Sequence, residues 1–419
     1  MMQTAWEGRP TKGGTPTERL SSKVDWYIHR VGRSTPRMPS EALIAAKSQL
    51  KEPSWRGAAL PWTAWNSLIL RMAAVAAQAS TIWITWPLWQ VRHYNSAQLW
   101  PQTPNLPALP LPQFDVAPWL IGSLVLVLFV PRWGVLLHGT ALVWAILLDQ
   151  IRMQPECISL WLLMLGSLES SGCKLLARSH LIALWFFAGF HKLISPGYYE
   201  AVVPFMLGRA PGATVAAGDV MWGALGALFE ISLAVLAIVP RTRRACAVLV
   251  APFHLTVVCW LAFRMEWNYS VCPWNAAIAV AGFTLIWPWR TTLLADWREA
   301  SRPIKAAVAF VLFSPLLFYV ALFDPFLSHC VYTENAPHAW IEFPSGDKTE
   351  ISSIFSNEEN PAIALNVAIP PEHRLFEAYF SQVAEPGEKL IIEDPRWWAR
   401  FQGFDHREIV KLAEITVVP

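Results

Sequence analysis

The chain has 419 residues, 54% of them hydrophobic and only 15% charged, against about 25% charged in an ordinary soluble domain. With a mean hydropathy of +0.33, this composition excludes a soluble globular reading and points to a bundle of membrane helices. The net charge of +2 carries little information as a total, because in such a chain the asymmetry between segments matters; no nucleic-acid partner is expected.

The first 60 residues are polar and lack the apolar core and small-residue cleavage site of a secretory signal, so the first membrane helix is expected to be the anchor. One surface helix is predicted at Glu41–Lys51, capped by Ser40. A spanning helix needs about 20 apolar residues, with shorter ones possible when neighbours cover their ends. Nine candidate spans follow: Ala64–Leu88, Ala117–Val130, Trp133–Leu148, Cys157–Ser167, His180–Ile194, Asp219–Val239, Ala245–Phe263, Cys272–Trp287 and Ile304–Phe323. The second and fourth are short. Between the first two lies a Pro-rich loop, Pro101–Pro112, expected to be extended over the outer face. The 24 Trp against 8 Tyr suit many membrane interfaces, where indole rings settle at headgroup level.

Charge gives the orientation. If the N-terminus is inside, the inner segments carry 20 Lys and Arg, ten of them before residue 57, whereas the short outer loops hold only Arg92, Arg152, Arg209 and Arg264. The positive-inside rule favours that arrangement. Nine spans then place the C-terminus outside, and the tail from Pro325 to Pro419 has 15 acidic and 7 basic residues. In the tail, strand-like runs (His338–Phe343, Ala362–Ile369, Lys389–Glu393, Glu414–Val418) alternate with a helix-like run, Pro371–Val383, which predicts a small α+β domain. The expected architecture is an all-α polytopic membrane helical bundle, N-in and C-out: residues 1–63 a cytoplasmic polar region, 64–324 the transmembrane domain, 325–419 an extracytoplasmic α+β tail.

The six Cys contain no CxxC pair and no Cys/His cluster at zinc spacing, so no metal is predicted. Whether Cys157, Cys272 and Cys330 pair is open from the sequence. An ionisable group inside a bilayer is costly and is therefore a functional candidate. Glu230 and His254 fall near the middle of adjacent spans, where they could meet as a proton-sharing pair or as a structural interhelical hydrogen bond. A second group gathers at the outer helix ends: Asp149 and Arg152, His191 and Lys192, and Trp267, Asn268, Trp274 and Asn275. Lys192, among Phe186, Phe187 and Phe190, is either a desolvated general base or a lysine snorkelling to the headgroups. Asp149 and Arg152, three apart, can equally make a local ion pair.

At FFAGFHKL the chain resembles the horizontally transferred transmembrane (HTTM) domain family, which includes the vitamin K-dependent gamma-glutamyl carboxylases. The matching residues are Phe187, Ala188, Gly189, Lys192 and Leu193, with an Asp-containing helix end at Asp149 to Arg152 and a helix His followed by Leu (His254, Leu255); the likeness covers roughly residues 60 to 325. The resemblance implies a quinone or hydroquinone cofactor, with Lys192 acting on the quinol hydroxyl and an extracytoplasmic protein as substrate or partner. Arg152 stands where the carboxylases carry a His, and the tail is far shorter than their lumenal part. A similar Ala-Gly and Lys-Leu pattern resembles DoxX-like, quinone-linked membrane proteins. The expected function is therefore a quinone- or lipid-like ligand site on the outer side, with quinol-coupled redox or carboxylation-like activity. The alternative is a non-enzymatic membrane scaffold or a component of export or immunity machinery. No inverted repeat of the kind transporters show is visible in the sequence.

Overall fold

The computed structural model describes residues 62–92, 102–105, 111–209, 214–265, 267–352, 363–396 and 407–411. These fall in one compact unit spanning Leu60–Pro419. The expected helix Glu41–Lys51 and the strand Glu414–Val418 lie outside the described residues, as does half of the Pro-rich loop.

Among the described residues, nine apolar helices form the body. They are α1 (Trp62–Ile84), α2 (Ala117–Phe129), α3 (Pro131–Leu148), α4 (Pro155–Gly166), α5 (Ser171–Leu193), α6 (Ala217–Ile238), α7 (Arg243–Trp260), α8 (Val271–Ala281) and α9 (Arg302–Phe313). Single π turns extend α7 to Met265 and α8 to Ile286, and a 3-10 stretch, Ser314–Val320, extends α9. Six of these helices are long and apolar enough to cross a membrane: α1, α3, α5, α6, α7 and α9 with their extensions. The other three expected spans are the shorter apolar helices α2, α4 and α8. At 13 residues, α2 is about 20 Å long, well under the roughly 30 Å hydrocarbon core.

The outer surface of these helices is as apolar as a bilayer demands. Trp83, Trp119, Phe129, Trp133, Trp222 and Phe263 are each more than 59% exposed, the wrong side of a water-soluble fold and the right side of a lipid-facing one. The chain thus fits a multi-pass membrane protein.

The most extensive helix–helix interface joins α5 and α6. It is close because Gly189 presents no side chain there: a Cβ on it would come within 2.4 Å of the Ala227 carbonyl oxygen and 3.0 Å of Glu230 Cβ. Small residues let membrane helices approach this closely. Pro252 interrupts the ladder of α7, since it has no N–H to donate and its ring crowds the preceding turn. At the far end of the bundle Arg243 is buried, donating to the carbonyls of Ala237 (2.8 Å) and Trp289 (3.0 Å), with its guanidinium 3.5 Å over the Trp289 ring.

The tail has α+β structure. A four-stranded antiparallel sheet has the order β2-β1-β3-β4, with β1 His338–Glu342, β2 Lys348–Glu350, β3 Lys389–Glu393 and β4 Arg407–Lys411. Trp340 pairs with Ile391 across the β1–β3 ladder. Helix α10 (His373–Val383) buries Leu375, Phe376 and Phe380. One expectation is corrected here. Of the expected strand Ala362–Ile369, the described residues from 363 on do not form one: Ile363–Leu365 is a 3-10 turn, and Asn366 takes φ 53°, a left-handed conformation that stops any extended run. Its side-chain oxygen instead accepts the backbone N–H of Tyr269 at 2.9 Å, tying the tail to the bundle. Two strands were not expected from the sequence: Lys348–Glu350, which is short and polar, and Arg407–Lys411.

Candidate functional site

A cavity of about 160 Å³ lies where α5, α6, α7 and α8 meet the loop entering the tail. Its walls are mostly apolar and aromatic, from Leu184, Trp185, Phe253, Val257, Trp260 and Trp274. Lys192, in the last turn of α5, and Glu230, at mid-length on α6, both line it. Lys192 Nζ donates to both carboxylate oxygens of Glu230, at 2.6 and 2.8 Å. The glycine gap at Gly189, one turn before Lys192, allows the helices to approach closely enough for this pairing. The two side chains are 16% and 11% exposed, so the charges are largely desolvated and hold one another.

The expected Glu230–His254 pair does not form. His254 is committed elsewhere. Asn275 Nδ2 donates to the Val271 carbonyl (2.8 Å), which turns Oδ1 toward His254 Nδ1 at 2.7 Å. An amide oxygen only accepts, so Nδ1 carries the proton, and Nε2 is left as the acceptor for Trp185 Nε1–H at 3.0 Å. Both nitrogens are used, and the ring is a neutral, oriented part of the wall. Lys192 takes the carboxylate because its helix makes the more extensive and closer packing on α6, at the level set by Gly189.

Trp274 and Asn275 also line the cavity. Trp274 Nε1 donates to Ser159 Oγ (2.8 Å), which is in turn 2.7 Å from His180 Nε2. Asn268 is one contact behind the wall: with φ 55°, it donates to the Tyr332 hydroxyl at 2.7 Å, and Tyr332 lines the cavity.

Four expected site residues are elsewhere. Asp149 pairs with buried Arg92 as well as with Arg152 (3.6 Å), and Arg152 donates to the carbonyls of Leu88 and Gln90. These groups knit the ends of α1 and α3 together. His191 is turned away from Lys192, bonding the Tyr319 hydroxyl and the Ser328 carbonyl. Trp267 is buried outside the cavity wall. All six cysteines are free, Cys157, Cys272 and Cys330 included.

The structure adds residues that sequence reasoning missed. The loop leading into the tail brings His329, Val331 and Tyr332 to the cavity. His329 is 6% exposed, its ring is 5.5 Å from that of His180, and its Nδ1 has no hydrogen-bond partner. Burial and the neighbouring His180 and His191 hold its imidazole well below the usual histidine range, so it is neutral. His329, Tyr332 and Glu334 all have positive φ, from 54° to 62°. Such conformations are costly for residues with side chains and mark places where the chain is held for a purpose. No periodic signal could have announced them, because the loop has no regular structure. Among the described residues, no three His, Cys, Asp or Glu side chains group as a metal site.

Compared with protein-family models, curated proteins and solved structures, the chain matches none of them. The functional reading rests on the site.

Proposed function

We propose that the cavity at Lys192 and Glu230 binds the ring-bearing headgroup of a quinone-class or similar lipid-like ligand, in a membrane protein of N-in, C-out orientation with its tail outside. The observation that carries the reading is a charged pair, Lys192 and Glu230, set in the wall of an otherwise apolar cavity beside an unpartnered His329 Nδ1. Ligand sites for apolar molecules have this make-up: aromatic walls with a few placed polar atoms that fix orientation. Size supports it, since a cavity of about 150 Å³ accommodates a benzene ring. Orientation follows the charge asymmetry of the loops, and a multi-pass cell-membrane location goes with it.

A quinol would supply electrons and an acidic hydroxyl. Glu230 can accept a hydroxyl proton while the Lys192 ammonium stays hydrogen-bonded to the oxygen left behind; this is general-base chemistry in a site with little water. His329 can hold a second oxygen of the ring through Nδ1. His254, locked by Trp185 and Asn275, orients the wall and keeps its Nδ1 proton. This assignment suits quinol-coupled redox or carboxylation-like chemistry of the kind the HTTM resemblance implies.

The test is native mass spectrometry of the detergent-extracted protein for a bound quinone or quinol, followed by titration with a short-chain quinol. Wild type is expected to retain or bind the quinol, and Lys192→Ala to lose it. A wild-type protein that neither carries nor binds one overturns the reading and leaves the non-enzymatic scaffold.

A further inference from the structure

The other end of α5 carries a second feature, independent of the cavity. Lys174 and Lys192 lie 18 positions apart on that helix, about 27 Å. Around Lys174 a recess of about 70 Å³ opens between α1, the end of α4, the first turns of α5 and the π turn that follows α8. Its wall includes Asn66, Ser67, Lys174 and Arg178.

Three of the side chains there offer N–H donors: the Asn66 amide, the Lys174 ammonium and the Arg178 guanidinium. Asn66 is 7% exposed, and its side-chain Nδ2 has no hydrogen-bond partner. Buried amide donors are almost always satisfied, so an orphan facing a recess calls for an acceptor. Among the described residues Lys174 Nζ has no hydrogen-bond or ion-pair partner. Arg178 uses Nε on the Leu285 carbonyl at 3.1 Å and directs Nη1 toward Asp296 at 3.5 Å, leaving Nη2 available. Two carboxylates temper the charge: Glu169 acts on both Arg71 and Lys174, and Asp296 is shared by Arg178 and Trp289 Nε1. Lys174 and Arg178 line the recess, and Arg71 and Arg243 interact with the same two carboxylates, so four cations share two anions. An amide N–H, an ammonium and a guanidinium N–H converging with a positive surplus suit a tetrahedral oxyanion and repel a cation.

We infer that this recess binds a phosphate group, carried either by an anionic phospholipid headgroup or as free phosphate. The basic residues lie at a helix end and between spanning helices, where basic pockets take phospholipid headgroups. The apolar neighbours Leu70 and Leu285 fit the boundary between headgroup and acyl chain.

The experiment uses the full chain in detergent, exchanged against phosphatidylglycerol or phosphatidylcholine and followed by native mass spectrometry, with inorganic phosphate in a parallel melting assay. Preferential retention of phosphatidylglycerol, reduced about fivefold in Lys174→Gln, supports the proposal with a lipid source. A rise in melting temperature with inorganic phosphate, absent in Lys174→Gln and without lipid preference, supports it with free phosphate as the source. Asn66→Leu is the second variant should Lys174→Gln fold poorly, and it is expected to reduce the same binding. Equal retention of the two lipids with no phosphate effect in wild type overturns the proposal, as does wild-type binding in both variants.

Discussion

Lys192 and Glu230 meet with both carboxylate oxygens within 2.8 Å of one ammonium nitrogen. With the two side chains only 16% and 11% exposed, each charge has the other as its partner. Removing one partner from a buried pair leaves the other charge stranded, at a cost of about 3 kcal/mol, whereas replacing both by apolar residues is close to neutral. Lys192→Met and Glu230→Leu are therefore each expected to be strongly destabilising alone and much milder together. Chemical or thermal unfolding of the purified protein, arranged as a double-mutant cycle, measures the coupling. The double variant should regain stability without regaining quinol binding; if it binds quinol as wild type does, the pair is structural.

Gly189 makes that pairing possible, and its replacement is the sharper probe of geometry. A Cβ at Gly189 would meet a backbone carbonyl at 2.4 Å, so the helices must part, whereas at Gly218 it would meet nothing within 4 Å. Gly189→Ala is expected to destabilise by about 1–3 kcal/mol and to weaken ligand binding by spreading Lys192 from Glu230. Gly218→Ala, in the first turn of α6, should be neutral or slightly stabilising. Equal melting temperatures for the two variants would show that the α5–α6 contact is not tight.

Just past the end of α9 and its 3-10 extension, Asp324 is a carboxyl under strain from burial. Its Oδ1 accepts the N–H groups of Phe326 and Leu327, at 2.8 and 3.1 Å, while Oδ2 has no partner. Burial, with the nearby charge of Glu372, raises its pKa from 3.8 to about 7. The folded chain thus binds more protons than the unfolded one between those values, and this group's contribution to stability is present below pH 3.8 and lost as pH rises toward 7. Asp324→Asn keeps the two accepted bonds and removes the charge. It should melt several degrees above wild type at pH 8 and at the same temperature near pH 4; a lower melting temperature at pH 8 refutes this account.

Asp394 shows the opposite sign. Burial pushes its carboxyl up, but hydrogen bonds from His373 and Arg396 and the Arg396 charge outweigh this and hold it at about 2. The stabilisation is complete above pH 3.8 and disappears as pH falls through about 2. Asp394→Asn is expected to cost about 2 kcal/mol at pH 7 and nothing once wild type is itself protonated. Unfolding curves of both proteins from pH 7 to pH 2 should converge at the acid end.

Composition and periodicity were enough to make the chain a multi-pass helical protein, because lipid forces every spanning backbone into helices whose apolar runs are visible in one dimension. They also marked Lys192, Glu230, His254, Trp274 and Asn275 as polar groups in apolar runs, since each interrupts a pattern. The three shorter helices were less legible, as their neighbours cover what their own length cannot. Partnership was not legible at all. Whether Glu230 meets His254 or Lys192 depends on which helix packs on α6 and how closely, and that is decided by a glycine whose contribution is an absence of atoms. Nor could the pattern place His329 and Tyr332, which reach the cavity through a loop with left-handed residues and long-range contacts to the bundle. The amino-acid order determined which groups had to find partners in a medium without water, and only the tertiary structure decided which partners they found.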